Sequence, residues 1–192
     1  TNLRLATVPG DPDELRYINF NHVQTLNAEG LRLGFSFLAT ESEPGEQSFN
    51  SLEIETEGQT AEVNLFYPLI RTREENLVLG GSLSARKSDI LQLGVRSSRD
   101  QLRVLRLTGQ YDKADAYLGG GISLMSATLN FGLDVADAMV ESRLEGEPDF
   151  SHLQLNLRRV QPLSQSFKLD LRLQAQYANE TLPSAEQFGL GG

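Results

Sequence analysis

The chain has no cysteine and no tryptophan, and only two of its 192 residues are histidine. Without cysteine, it can form neither a disulfide framework nor a thiolate metal site. No stretch approaches about 18 consecutive apolar residues, which excludes a helical membrane span. Helical periodicity is also nearly absent, because no segment sustains an apolar stripe at positions i, i+3, i+4 and i+7. These absences exclude disulfide-rich scaffolds, thiolate metalloproteins and helical membrane proteins.

Basic residues are in deficit as well. The net charge is -9 and the isoelectric point is near 4.7, and the sequence contains no basic stripe. Nucleic-acid affinity comes largely from clustered lysine and arginine, so we predict no nucleic-acid partner.

Catalytic and metal-binding patterns are lacking too. His22 and His152 are isolated in different segments, and we interpret both as residues of a polar sheet face rather than as ligands. No Gly-x-Ser-x-Gly elbow is present, and the clustered carboxylates stand beside proline, glycine and serine, as in solvated loops. The sequence therefore predicts no enzyme activity, no bound metal and no cofactor.

What the chain does contain is alternation with a period of two. The clearest case runs from Phe167 to Tyr177, where apolar residues alternate with lysine, aspartate, arginine and glutamine. Successive side chains of a β-strand point to opposite faces, so this pattern predicts a strand with one apolar and one polar face. Similar runs begin near Leu31, Val63, Leu77 and Leu153. The fold class is therefore all-β.

Two segments alternate less regularly. From Leu102 to Tyr111 the apolar phase shifts between Val104 and Leu105, which either a β-bulge or a pair of residues facing both ways would explain. The segment from Leu118 to Leu133 is predicted to be a glycine-rich strand with a kink near its three successive glycines.

The connections between the runs differ in length. We predict short turns at Gln24–Glu29, Ile70–Glu75, Asp112–Asp115 and Gln161–Gln165, and long loops at Thr40–Gly58, Lys87–Asp100 and Asp134–Asp149. Alternation of short and long connections is typical of an up-and-down transmembrane β-barrel. A strand of roughly 11 residues at ~3.3 Å each, tilted by about 45°, would rise about 26 Å, which matches the apolar band of such a barrel.

The last residues resemble a known family. Residues 182–192 read Leu-Pro-Ser-Ala-Glu-Gln-Phe-Gly-Leu-Gly-Gly. This is similar to the segment before the conserved large loop of the two-partner secretion transporters, the haemolysin-activator proteins of the Omp85 superfamily. Tyr67-Pro68-Leu69-Ile70-Arg71 resembles the same family's Tyr-Pro-Leu-x-Arg at a periplasmic turn, and the segment from Arg103 to Gly120 also follows the family's strand and turn pattern.

The resemblance implies an antiparallel transmembrane barrel in the bacterial outer membrane, to which this chain contributes about eight or nine strands. Residues 1–192 would all belong to that one barrel domain. Both ends of the sequence look internal, with periplasmic POTRA domains expected upstream and a Val-Arg-Gly-Tyr loop motif and the remaining strands downstream. The implied function is translocation of an unfolded exoprotein to the cell surface, with that exoprotein and the lipid of the outer membrane as partners.

Two groups of residues are predicted to serve that function. The polar residues of the last strand would face the lumen of the barrel: Lys168, Asp170, Arg172, Gln174 and Gln176. The start of the conserved lumenal loop would be formed by Leu182, Ser184, Glu186, Phe188, Leu190, Gly191 and Gly192.

Two alternatives stay open at this stage. One is a barrel-assembly protein of another Omp85 branch, which several upstream POTRA repeats would favour. The other is a soluble secreted β-sandwich or adhesin module whose long loops bind a ligand. These readings differ in whether the leucine and phenylalanine face meets lipid or a packed core.

Overall fold

A computed structural model describes residues 1–43 and 54–189, which form one antiparallel sheet of ten strands. Apart from two single turns of 3-10 helix, at Tyr117–Gly119 and Ser184–Glu186, the regular structure of these residues is all strand. The strands are β1 Asn2–Val8, β2 Asp11–Thr25, β3 Arg32–Ser42, β4 Ile54–Arg71, β5 Glu75–Gln92, β6 Val95–Asp115, β7 Gly121–Gly132, β8 Met139–Val140, β9 Ser151–Pro162 and β10 Lys168–Ala178. Within the described ranges no helix has the length and apolarity needed to cross a membrane.

The strands follow one another as an up-and-down meander. The order in the sheet is β1-β2-β3-β4-β5-β6-β7-β9-β10, and the two-residue strand β8 pairs with β6 instead. Among the described residues β1 and β10 are the two edges, and they do not pair with each other. The prediction of a partial antiparallel barrel with eight or nine strands is confirmed, because nine strands form the meander.

Cross-strand pairing separates the sheet into two chemically different faces. Leu83 lies opposite Val63 and Leu105, whereas the next residue, Ser84, lies opposite Glu62 and Val104. Such pairs share a face, so the alternation along each strand is continued across the sheet. The apolar face includes Phe20, Phe35, Phe37, Val63, Leu65, Leu83, Leu105, Leu107, Leu129, Leu157, Leu171 and Leu173, all largely exposed. The polar face includes Asn21, Ser36, Glu62, Ser84, Arg106, Asn130, His152 and Gln176.

The predicted long loop at Lys87–Asp100 was wrong. Strand β5 continues to Gln92 and β6 begins at Val95, so only Leu93 and Gly94 lie between them. Both have a positive φ, 53° and 70°, as in the tight turns that match the twist of a hairpin. Here the strands extend beyond the apolar face, polar residues stand on both of their sides, and the alternation that marks a strand disappears.

Two other connections differ from the prediction. The short turn expected at Asp112–Asp115 lies a few residues later, at 116–120, because β6 runs through to Asp115. Strand β1 was not predicted, and only Pro9 and Gly10 separate it from β2. The regular alternation of short and long connections therefore fails at two tight turns, whereas the predicted long connection at Asp134–Asp149 is confirmed and contains β8. The loop predicted at Thr40–Gly58 is shorter, since Thr40 pairs with Gly58, and residues 44–53 lie outside the described residues.

The phase shift in β6 has a simple origin. No bulge occurs between Val104 and Leu105, since the pairing with β5 and with β7 is continuous there. Instead, Leu102 and Val104 lie on the polar face, where Phe150 and Leu182 cover them, while Leu105 lies on the apolar face. The sequence left open a β-bulge or apolar residues on both faces of the strand, and the second explanation is correct.

Candidate functional site

The five polar residues predicted on the last strand share one face of β10. Lys168, Asp170, Arg172, Gln174 and Gln176 lie opposite Pro162, Val160, Arg158, Asn156 and Gln154 of β9. Arg158 donates two hydrogen bonds to the Asp170 carboxylate, of 3.0 and 2.8 Å, and Arg172 donates two more, of 3.4 and 3.0 Å. The common face of the five residues is established, while their orientation toward a barrel lumen stays a prediction.

After β10 the chain turns back onto this polar face. We call residues 179–189 the covering segment. Its 3-10 turn at Ser184–Glu186 is closed by the Glu186 amide, which donates to the Pro183 carbonyl at 2.9 Å. Leu182 is buried in an apolar cluster with Leu102, Val104 and Phe150. The predicted loop residues Leu182, Ser184, Glu186 and Phe188 all lie in this segment, and Leu190, Gly191 and Gly192 lie outside the described residues.

Glu186 is the centre of a buried polar cluster. Its side chain is 7% exposed, and one carboxylate oxygen accepts a 2.6 Å hydrogen bond from Arg106 of β6. The other oxygen lies 3.3 Å from Nε2 of His152 on β9, whose side chain is fully buried. Arg106 also donates to the hydroxyl of Ser84 at 2.6 Å. The carboxylate is therefore held by charged and polar groups from two strands, as a buried charge requires.

Gln176 connects this cluster to β10. Its amide nitrogen donates to the Glu186 carbonyl at 2.8 Å and lies 3.1 Å from Nδ1 of His152. Its amide oxygen accepts from the backbone of Phe188 at 2.9 Å. Since the Gln176 oxygen is used by that backbone donor, its nitrogen faces His152, so Nδ1 is the acceptor and the ring proton is on Nε2. Nε2–H can then donate to the Glu186 carboxylate.

A second segment packs beside the covering segment. In the connection between β7 and β9, the backbone amides of Glu141 and Ser142 each donate to Asp100 of β6 at 2.9 Å. Arg143 donates to the carbonyl of Leu182 at 3.1 Å, and the hydroxyls of Ser142 and Ser184 are 3.3 Å apart. The two segments together cover the end of the polar face that lies away from the turn between β9 and β10.

An ion pair on the other face lies beyond the apolar band. Asp89 near the end of β5 has a side chain only 4% exposed, and it accepts hydrogen bonds from Arg99, at 2.5 and 3.2 Å, and contacts Lys87 at 2.8 Å. The hydrogen bond from Arg99, with that from Lys87, holds the pKa of Asp89 below its usual value, although burial opposes this shift.

The sequence missed most of the partners of Glu186. His152 was correctly placed on a polar face, but the same interpretation was wrong for His22, which lies opposite Phe35 on the apolar face. There its Nδ1 is 2.7 Å from the Thr1 hydroxyl. The one signal for a covered patch was the pair of apolar residues, Leu102 and Val104, in the polar phase of β6. Across residues 1–43 and 54–189, no group of three or more His, Asp or Glu side chains could hold a metal ion.

Comparison with solved structures shows the same fold. CdiB from Escherichia coli matches 93% of this chain with a TM-score of 0.73 and 16% sequence identity, over 33% of its own length. CdiB from Acinetobacter baumannii matches 94% of this chain with a TM-score of 0.63 and 19% identity, over 32% of its length. The chain thus spans about a third of the solved structures that it matches. No curated protein sequence matches it.

A family match covers more than half of the chain. The haemolysin secretion/activation protein family ShlB/FhaC/HecB matches residues 35–192, which include most of β3, the six later strands of the meander and the covering segment. The predicted family is therefore confirmed. The chain belongs to the ShlB/FhaC/HecB family, the outer-membrane β-barrel transporters of two-partner secretion in Gram-negative bacteria.

Proposed function

We propose that this chain is part of the wall of an outer-membrane pore that conducts an unfolded exoprotein to the cell surface. The observation that carries the proposal is a sheet with an exposed apolar face and a polar face onto which the chain itself folds back. Lipid would contact the apolar face, and the polar face would line the lumen. POTRA domains upstream and further strands downstream would complete the transporter.

The polar wall suits passage of an extended polypeptide. Lys168 and Arg172 alternate with Asp170 along β10, and Gln174 and Gln176 continue the same row. Alternating charges and amides offer hydrogen bonds without one dominant field, so side chains of different kinds could pass. The driving force would be folding of the emerging exoprotein outside the cell, with neither bond chemistry nor a cofactor.

The test is deletion of the full-length gene in its own bacterium, with restoration from a plasmid as the control. We expect one secreted or surface protein to disappear from outside the cell and to return on restoration. A broad loss of outer-membrane barrel proteins would instead favour the barrel-assembly alternative. If the full-length protein partitions into buffer without detergent and stays monodisperse, the membrane pore is excluded and a soluble binding module is favoured.

A further inference from the structure

Three strands of the polar face converge on one residue that follows the last strand. Arg106 of β6 and His152 of β9 bind the Glu186 carboxylate, and Gln176 of β10 binds its backbone carbonyl. Within the described residues no buried side-chain polar atom lacks a hydrogen-bond partner. Each of these contacts fixes a direction as well as a distance, so together they define where the covering segment can lie.

A carboxylate is an unusual choice if the segment needed only to be buried. Leu182, a few residues earlier, already supplies apolar contact with Leu102 and Phe150. Replacing a buried ion pair by apolar residues often costs no stability, whereas removing one partner leaves an uncompensated charge. The Glu186 cluster therefore contributes more to the position of the segment than to the overall stability of the sheet.

We propose that Glu186 is the positioning residue that docks the covering segment on the polar face, and that loss of its contact with Arg106 releases the segment. This inference rests on the proposed function, because it takes the polar face as the wall of the pore. Release would remove Leu182 from Leu102 and Val104 and break the contacts of Ser142 and Arg143 with the segment. Glu186 would thereby control how far this end of the lumen is open.

The contact between Ser142 and Ser184 provides a direct measure of docking. Their hydroxyl oxygens are 3.3 Å apart. Ser142 lies in the connection between β7 and β9, and Ser184 lies in the covering segment. Residues 1–192 contain no cysteine. Ser142→Cys combined with Ser184→Cys therefore creates a reporter pair, to be made in the full-length transporter after any cysteine outside residues 1–192 has been replaced. In folded protein in detergent we expect the pair to cross-link readily, and Glu186→Gln to slow its cross-linking about tenfold, because Arg106 loses its charged partner.

A matched control pair reports on the sheet itself. Thr108 and Thr128 lie opposite each other on β6 and β7, with hydroxyl oxygens 3.5 Å apart. Cysteines at these positions should cross-link at the same rate with and without Glu186→Gln. Equal cross-linking of the reporter pair in both backgrounds, or its failure to form even with Glu186 intact, would overturn the proposal.

Two variants of the partner separate positioning from folding. Arg106→Gln removes the charge that faces Glu186, and Arg106→Lys retains it. We expect the first to slow reporter cross-linking about tenfold and the second to stay within about twofold of the parent. If Glu186→Gln also slows cross-linking of the control pair, the comparison of Arg106→Gln with Arg106→Lys tests the proposal instead. Equal effects of these two variants on the reporter pair would then contradict it.

Conductance of the full-length transporter in a planar bilayer links docking to the pore. If Glu186 holds the covering segment over the lumen, Glu186→Gln should raise the conductance or the open time relative to the parent. A parent without any conductance would contradict the proposed function but leave the cross-linking result standing. A conducting parent with unchanged conductance and cross-linking in Glu186→Gln would contradict the positioning role alone.

Discussion

The polar face of β9 and β10 is open at one end and covered at the other. Near the turn between these strands, Arg158, Asp170 and Arg172 form ion pairs and stay partly exposed. Toward the opposite end, His152 and Gln176 bind the covering segment, and His152 is buried. The alternation is the same at both ends, so the difference comes from a segment that returns from beyond the strand. Periodicity decides which face a residue occupies, and tertiary contact decides whether that residue is exposed.

The largest effect is expected where the covered end is packed most tightly. A Cβ added at Gly132 would lie 2.1 Å from the Pro148 carbonyl oxygen and 2.4 Å from the Phe150 ring. Because the backbone must shift, Gly132→Ala should destabilise the full-length transporter by about 3 kcal/mol, measured by urea unfolding in detergent. Gly109→Ala is the matched control, since its Cβ would meet only Leu79 at 3.8 Å. Equal stabilities of the two variants would show that the covered end is not tightly packed.

A smaller effect is expected from the apolar contact of the covering segment. Leu182→Ala should cost the docked state about 2 kcal/mol, because the buried side chain leaves a cavity beside Val104 and Phe150. The effect should be local, so hydrogen exchange of the Phe188 amide, bound to Gln176, should accelerate while the β4–β5 amides are unchanged. The control is Leu171→Ala, at an exposed position on the apolar face of β10, which should leave the exchange of the Phe188 amide unaltered. Faster exchange throughout the sheet would mean that the two ends are not independent.

The smallest of the three effects concerns pH. Since the folded pKa of Asp89 is lowered by Arg99, its ion pair stabilises the folded state above the unfolded pKa, near 3.8, and that contribution is lost as pH falls through the folded value. Between pH 6 and pH 3 the parent should therefore lose more stability than Asp89→Asn, which has no carboxyl at this position to titrate. The measurement is urea unfolding at each pH, and parallel pH profiles for the two proteins would contradict the prediction.

Much of the fold was predictable from residues alone. The run from Phe167 to Tyr177 predicted β10 and its two faces, and the runs near Leu31, Val63, Leu77 and Leu153 predicted four more strands. The prediction failed where strands extend past the apolar band, as between Lys87 and Asp100, because polar residues on both sides erase the period-2 signal. The short strand β1 was missed, although Leu3 and Leu5 lie on the apolar face, since its few residues carry little pattern.

The candidate site was predictable only in part. The family resemblance directed attention to Leu182, Ser184, Glu186 and Phe188, and each of them lies in the segment that covers the polar face. Their partners were not found, because Arg106 and His152 are separated from Glu186 by 80 and 34 residues along the chain. Contacts between such distant residues depend on which strands become neighbours and on how their registers align, and neither is encoded in a local pattern.

By itself the sequence determined the strands and their two faces, because the alternation of side chains is a property of each extended segment. It also determined the absence of thiol chemistry, since there is no cysteine to supply it. Only the tertiary structure decided that Leu102 and Val104 are covered on an otherwise polar face, and that Glu186 meets Arg106, His152 and Gln176. The physical reason is that burial of a charge depends on partners assembled from separate strands, and the fold alone brings those strands together.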